Sequence, residues 1–103
     1  MLFYSTENKN LRIGLREAIL KGLADDNGLF MPETIPALSS DTLRKLPDLS
    51  FHELAWQLSA PYVVNELGEK ALKDMIEEAF NFEVPLISVQ EDLFSLELFL
   101  GAG

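Results

Sequence analysis

The sequence predicts an α+β fold, helix-rich with a small sheet, on the strength of three observations. Leu72, Met75, Ile76, Ala79 and Phe80 recur at helical spacing opposite Glu69, Lys70, Lys73, Asp74, Glu77 and Glu78, which marks an amphipathic helix near residues 69–80. Ser50 stands three residues before Glu53, the spacing at which each side chain satisfies a backbone donor at a helix start. Short runs of strand-forming residues lie toward both ends of the chain, at 2–4, 29–31, 86–89 and 94–99.

Leu2, Phe3 and Tyr4 form the first of these strands, and the polar stretch Ser5 to Asn10 turns the chain. Leu15, Ile19 and Leu23 then recur at helical spacing with Ala18 beside them, while Arg16, Glu17 and Lys21 face outward, giving a helix near 14–22. Gly22 suits its end, because a residue without a β-carbon adopts the left-handed conformation that closes a helix. Asp25, Asp26, Asn27 and Gly28 tolerate positive φ or bond their own backbone, so they mark a tight turn before the strand at 29–31. Gly28→Val is expected to destabilise the domain by way of a positive φ at Gly28.

Pro32 and Pro36 punctuate an extended connection, and Ser39, Ser40 and Asp41 offer capping oxygens to a short helix near 41–46 that Pro47 stops. The capping box starts a helix near 51–60, with Phe51, Leu54, Ala55 and Leu58 as its buried stripe and Pro61 ending or bending it toward a buried Tyr62 and Val63. After the helix at 69–80, Gln90, Glu91 and Asp92 suit a hairpin loop between the last two strands. No internal repeat, low-complexity tract or linker divides the 103 residues, so residues 1–103 read as one domain. A domain of this size leaves much of its apolar surface uncovered, and a patch that docks on further chain is in keeping with it.

Charge excludes several partners. Seventeen acidic residues against eight basic ones give a net charge of -9, a field that repels phosphate backbones and anionic headgroups, so neither nucleic acid nor a membrane surface is an expected partner. The absence of cysteine removes disulfides, thiolate nucleophiles and thiolate metal sites together. No leader-like start and no apolar run of spanning length is present, which makes the cytoplasm the expected compartment.

Little reactive chemistry is left. His52 is the lone histidine and sits in the capping box, where a structural role outweighs metal or triad chemistry because no further ligands or oriented partner accompany it. Asp25 and Asp26 lack the spacing of a calcium loop and read as a turn. Phe51, Trp56, Tyr62, Phe80 and Phe82 lie on helices and their ends, as core aromatics do. The glycines at 101 and 103 do not form a phosphate loop. From its own side chains the chain assembles no active site, and no metal site is expected.

The run from Leu20 through Pro32, with Gly22, Leu23, Ala24, Asp26, Gly28, Leu29 and Phe30 in place, resembles the amino-terminal motif of the threonine synthase family. That motif reads Gly, Leu, Ala, any residue, Asp, Gly, Gly, Leu, an aromatic, any residue, Pro; Asn27 replaces one glycine, as a left-handed position tolerates. Phe3, Tyr4, Ser5 and Thr6 resemble the family's start. Leu96, Glu97, Leu98, Phe99 and Gly101 resemble the segment Leu, Glu, Leu, Phe, His, Gly that leads into its cofactor site, with Leu100 where histidine is usual and Ala102 and Gly103 where proline and threonine follow.

The resemblance implies an amino-terminal accessory domain whose parent enzyme, a pyridoxal-phosphate-dependent lyase, converts O-phospho-L-homoserine and water to L-threonine and phosphate. It places the cofactor lysine beyond Gly103. Lys9, Lys21, Lys45, Lys70 and Lys73 match no family motif, so the 103 residues are expected to bind no cofactor and to be inactive alone. The implied partners are the catalytic domain of the same chain and a small-molecule substrate. Ser5, Thr6, Asp26, Asn27 and Gly28 are candidates for the border of a substrate entrance, alongside ordinary roles in a turn and a strand end, and Phe99 and Gly101 for the residues nearest the cofactor. An alternative is a freestanding acidic domain that binds a protein partner and catalyses nothing.

Overall fold

The computed structural model describes residues 1–98. Its first half is built around a three-stranded antiparallel sheet in the order β2-β1-β3, with β1 (Leu2–Ser5) between β2 (Arg12–Gly14) and β3 (Phe30–Pro32). Phe3 pairs with Ile13 on one side and Pro32 on the other, and Ser5 pairs with Phe30. Alternation along β1 sends Phe3 and Ser5 to the same face, and both are buried. Pro32 cannot donate to a ladder and so belongs on an outer strand, as found.

The strand β2 is absent from the sequence expectation, which runs from the polar loop straight into a helix. Three residues carrying one large apolar side chain show no alternation. The strand is set instead by the turn before it, where the Ser5 and Leu11 amides bond the Leu11 and Asn8 carbonyls. The helix that follows, α1 (Leu15–Lys21), buries Leu15 and Ala18 on Phe3. Gly22, at φ 74°, closes it by donating its amide to the Ala18 carbonyl. Ile19 and Leu23, assigned to the buried stripe by their spacing, are exposed.

Helix α2 (Ser40–Lys45) is capped by the Ser39 hydroxyl, which accepts from the Thr42 amide at 3.1 Å. Pro47 lies in the short 3₁₀ turn Leu46–Asp48 that continues the chain to Ser50. There the capping box is complete: the Glu53 amide donates to Ser50 Oγ and the Ser50 amide to a Glu53 carboxylate oxygen, both at 3.1 Å.

Helix α3 extends over Phe51–Leu67, beyond the end expected at residue 60. Pro61 removes one intrahelical donor, freeing the carbonyl of Gln57, an exposed residue whose oxygen water can serve. What carries the helix past the proline is tertiary: Tyr62, Val63 and Leu67 pack on Phe3, Leu15 and Ala18. The expected stripe is only half realised, with Leu54 and Ala55 partly buried but Phe51 and Leu58 exposed. Gly68, at φ 88°, breaks α3 from α4 (Glu69–Ala79). Helix α4 packs back on α3, burying Leu72 and Ile76; Met75 and Ala79 of the same expected face stay exposed.

After an irregular stretch, β4 (Leu86–Gln90) and β5 (Leu93–Leu96) form a separate two-stranded antiparallel hairpin. Asp92, at φ 59°, makes the turn, and the register shifts between Ser88 and Gln90. The strand expected over 94–99 thus ends at Leu96, and Phe99 lies outside the described residues. The radius of gyration, 16.5 Å, exceeds the roughly 13 Å of a compact 100-residue domain, in keeping with a hairpin that stands off the body.

Candidate functional site

Five residues singled out in the sequence meet in one place. The end of β1 and the turn between α1 and β3 are joined by the Ser5 hydroxyl, which is wholly enclosed. It donates to Asp26 Oδ1 at 2.7 Å and accepts from the Glu7 amide at 3.2 Å. The same Asp26 oxygen accepts from the Gly28 amide at 3.0 Å, an Asx turn that sets the loop geometry. Thr6 and Leu29 close a second link: the Thr6 amide donates to the Leu29 carbonyl and the Leu29 amide to Thr6 Oγ1, both at 2.9 Å.

The turn is drawn tight by its own backbone. The Ala24 amide bonds the Gly28 carbonyl at 2.9 Å and the Asn27 amide the Ala24 carbonyl at 2.8 Å. The left-handed residue is Asn27, at φ 67°; Gly28 has no positive φ, so the reason expected for its glycine is replaced by another. A β-carbon on Gly28 would run into the Ser5 hydroxyl and lie 2.9 Å from the Glu7 amide nitrogen. Glycine is required there by close approach, not by a dihedral angle.

Hydrogen bonds from the Ser5 hydroxyl first, then from the Gly28 amide, hold the Asp26 carboxyl below its ordinary range. The carboxylate is thus the acceptor at the centre of the knot. Thr6, Asp26 and Asn27 are exposed, whereas Ser5 and Gly28 are buried. The arrangement gives two exposed polar residues and a carboxylate fixed on a rigid rim, with every side-chain polar atom that is fully buried among the described residues hydrogen-bonded.

A second tie escaped the sequence reading. The Leu15 amide at the start of α1 donates to Glu66 Oε2 at 2.6 Å, across 51 residues. Gly14 makes room, since a β-carbon there would stand 2.7 Å from Glu66 Oε1. A carboxylate at a helix N-terminus is favourably placed, and here it fastens the sheet half to α3. No local signal announces a cap borrowed from another helix.

Between α3 and α4 lies an open groove of about 450 Å³ that includes His52, Glu53, Trp56, Lys73 and Glu77 in its lining. His52 Nε2 is 2.5 Å from the Phe80 carbonyl oxygen at the end of α4, a structural tie. Lys73 Nζ sits 5.4 Å from the Trp56 ring centroid, so that ring's face is taken. Pyridoxal phosphate does not fit here: its phosphate would meet Glu53 and Glu77, and no glycine-rich helix start cradles it. The five lysines are exposed. Among the described residues no group of three metal-binding side chains occurs, and no helix is long and apolar enough to cross a membrane. Phe99 and Gly101 lie outside the described residues.

Comparison with known proteins finds the family described as threonine synthase N terminus over residues 2–80. The chain is similar to the threonine synthase of Haemophilus influenzae, 33% identical over 101 residues that span 98% of this chain and 23% of that protein. It is 34% identical to the threonine synthase of Schizosaccharomyces pombe over 96% of this chain and 20% of that one. The crystal structure of a PLP-bound threonine synthase from Brucella melitensis superposes with a TM-score of 0.89 at 31% identity, covering 99% of this chain and 23% of the other. The chain therefore spans about a quarter of the length of the relatives it matches.

Proposed function

The chain belongs to the threonine synthase N-terminus family, and from that premise we propose that it serves as the amino-terminal domain of an enzyme converting O-phospho-L-homoserine and water to L-threonine and phosphate. The observation that carries this reading is the extent of the match: nearly the whole chain aligns, in sequence and in structure, with threonine synthases several times its length. The alternative of a freestanding interaction domain draws no support from the same comparisons.

Pyridoxal phosphate, when bound, supplies the electron sink for such a reaction, and its lysine belongs to polypeptide beyond Gly103. This chain's own residues do something else. Ile19, Leu20, Leu23 and Leu29 are exposed on α1 and the turn that follows, and the bridge between Leu23 and Leu29 holds them together. In the proposal this apolar rim docks on the catalytic part of the same protein, so that the domain caps it, in the cytoplasm.

The knot at Ser5, Asp26 and Gly28 then fixes Thr6 and Asn27 at the border of the substrate entrance. Its Asp26 carboxylate is a poor neighbour for a phosphate, so the rim shapes access and leaves phosphate binding to other residues. Phe99 and Gly101 lead the chain toward the cofactor. The test is the reading frame downstream of Gly103: a lysine in the context Phe-Lys-Asp, followed by a glycine- and serine-rich phosphate loop, is expected. A stop codon directly after Gly103 would overturn the proposal.

A further inference from the structure

The groove between α3 and α4 has no part in the function proposed above, yet its lining is that of a small-molecule site. Leu49, Trp56 and the buried Ile76 make it apolar, and its charges come from both walls: Glu53 from α3, Lys73 and Glu77 from α4. At about 450 Å³ it has the size of a ligand cleft, and an apolar lining with a few polar groups is the usual form of one.

Three observations fix the sign of what enters. Neither Glu53 nor Glu77 belongs to an ion pair among the described residues, although Lys73 stands one turn before Glu77 on the same helix. Lys73 holds its ammonium 5.4 Å from the centroid of the Trp56 ring instead, so the two carboxylates share one cation that is engaged elsewhere, and negative charge is in excess. Helix α4 ends on Glu77 and Glu78 with no basic residue in its last turn, the reverse of what a helix dipole favours, and a cation bound there offsets the local cost. Glu53 is ready to serve as well, since its capping bond uses Oε2 and leaves Oε1 for a second donor. A metal ion is a poor occupant: no group of three metal-binding side chains occurs among the described residues, and a hard cation has no use for the apolar lining.

We infer that this groove binds a small organic monocation, a primary ammonium or guanidinium on an apolar stem, with its charged head at Glu53 and Glu77 and its stem on Leu49, Trp56 and Ile76. Lys73 disfavours a dication, whose second charge it repels. The site stands whether or not the longer product of the reading frame releases phosphate.

Trp56 is the single tryptophan of the chain, so labelling with 5-fluorotryptophan puts one fluorine signal in the groove. Titration of the 103-residue chain with n-butylguanidinium at fixed ionic strength should shift that signal saturably, with a Kd of about 1 mM. The neutral isostere n-butylurea should bind at least about fivefold more weakly. Glu53→Gln combined with Glu77→Gln should erase this preference, and because glutamine at 53 can still close the capping box, the melting temperature should hold. Lys73→Met removes the like charge and should tighten n-butylguanidinium binding about threefold. Equal affinity for the two probes, or a preference that survives the double substitution, overturns the inference. The same titration on the longer product, with the Trp56 signal assigned through Trp56→Phe, separates a free ligand from a fixed one. Unchanged affinity there sustains the inference; loss of binding overturns it and identifies a basic side chain of the same protein as the occupant.

Discussion

The described residues hold two small antiparallel β units, and they are finished in opposite ways. Around β1 the chain supplies everything: outer strands, α1 across the face, and a serine whose hydroxyl is enclosed by its own turn. Around β4 and β5 no further strand or helix among the described residues closes a face, and apolar side chains stand exposed on both faces. The contrast separates residues that hold the domain together from apolar residues that the described chain leaves exposed. Substitutions in the first unit should act on stability; those in the second should be nearly silent in the 103-residue chain.

The strongest way to break the first unit is Gly28→Val. The added atoms collide with the Ser5 hydroxyl and the Glu7 backbone, neither of which can retreat cheaply. A loss of about 3 kcal/mol is expected, read in a thermal melt as a fall of more than about 10 °C. Gly28→Ala should show the same sign with a smaller fall, and an unchanged melting temperature for the valine variant would remove the close-approach account.

Ser5→Ala comes next. It deletes one enclosed hydroxyl that joins Asp26 to the Glu7 amide, and about 1–2 kcal/mol should go with it. Denaturant titration at neutral pH measures this, with the slope unchanged because the unfolded surface is the same.

Acid sharpens the comparison further. The Asp26 carboxyl titrates below its usual range in the folded chain because Ser5 and Gly28 donate to its ionised form. A group with a depressed folded pKa stabilises the fold above its unfolded pKa, about 3.9, and that contribution is lost as pH falls through the lower folded value. Melting temperature should therefore decline across this acidic window. Asp26→Asn should flatten that part of the profile while leaving the hydrogen-exchange rates of the hairpin amides as they are.

The smallest effect belongs to the second unit. Phe94→Ser on the 103-residue chain should shift stability by no more than about 0.5 kcal/mol, because the side chain is exposed. A large loss there would mean that the hairpin packs on the body in solution, and the contrast between the two units would collapse.

Much of the chain ahead of the hairpin is legible in the sequence. The Asp25 to Gly28 turn, the capping box at Ser50 and Glu53 and the amphipathic α4 are local features written by residues a few positions apart, and all three occur. Pairing Ser5 with Asp26 was within reach only as a shared neighbourhood, since the hydrogen bond spans 21 residues. What the sequence does not reveal depends on distant partners: β2 exists because its turn and β1 hold it, α3 passes Pro61 because Tyr62 and Val63 have a core to pack on, and Glu66 caps a helix 51 residues away. Periodicity marks Ile19 as buried, and it is exposed; under the proposed function the catalytic part of the same protein covers it.

The central claim is that this chain is one part of a threonine synthase that it does not complete. Phosphate release from O-phospho-L-homoserine, measured with pyridoxal phosphate present, tests it most directly. The account predicts release, with threonine formed in equal amount, by the longer product of the reading frame and none by residues 1–103 alone. Release by the 103-residue chain, or none by a cofactor-loaded longer product, would contradict it.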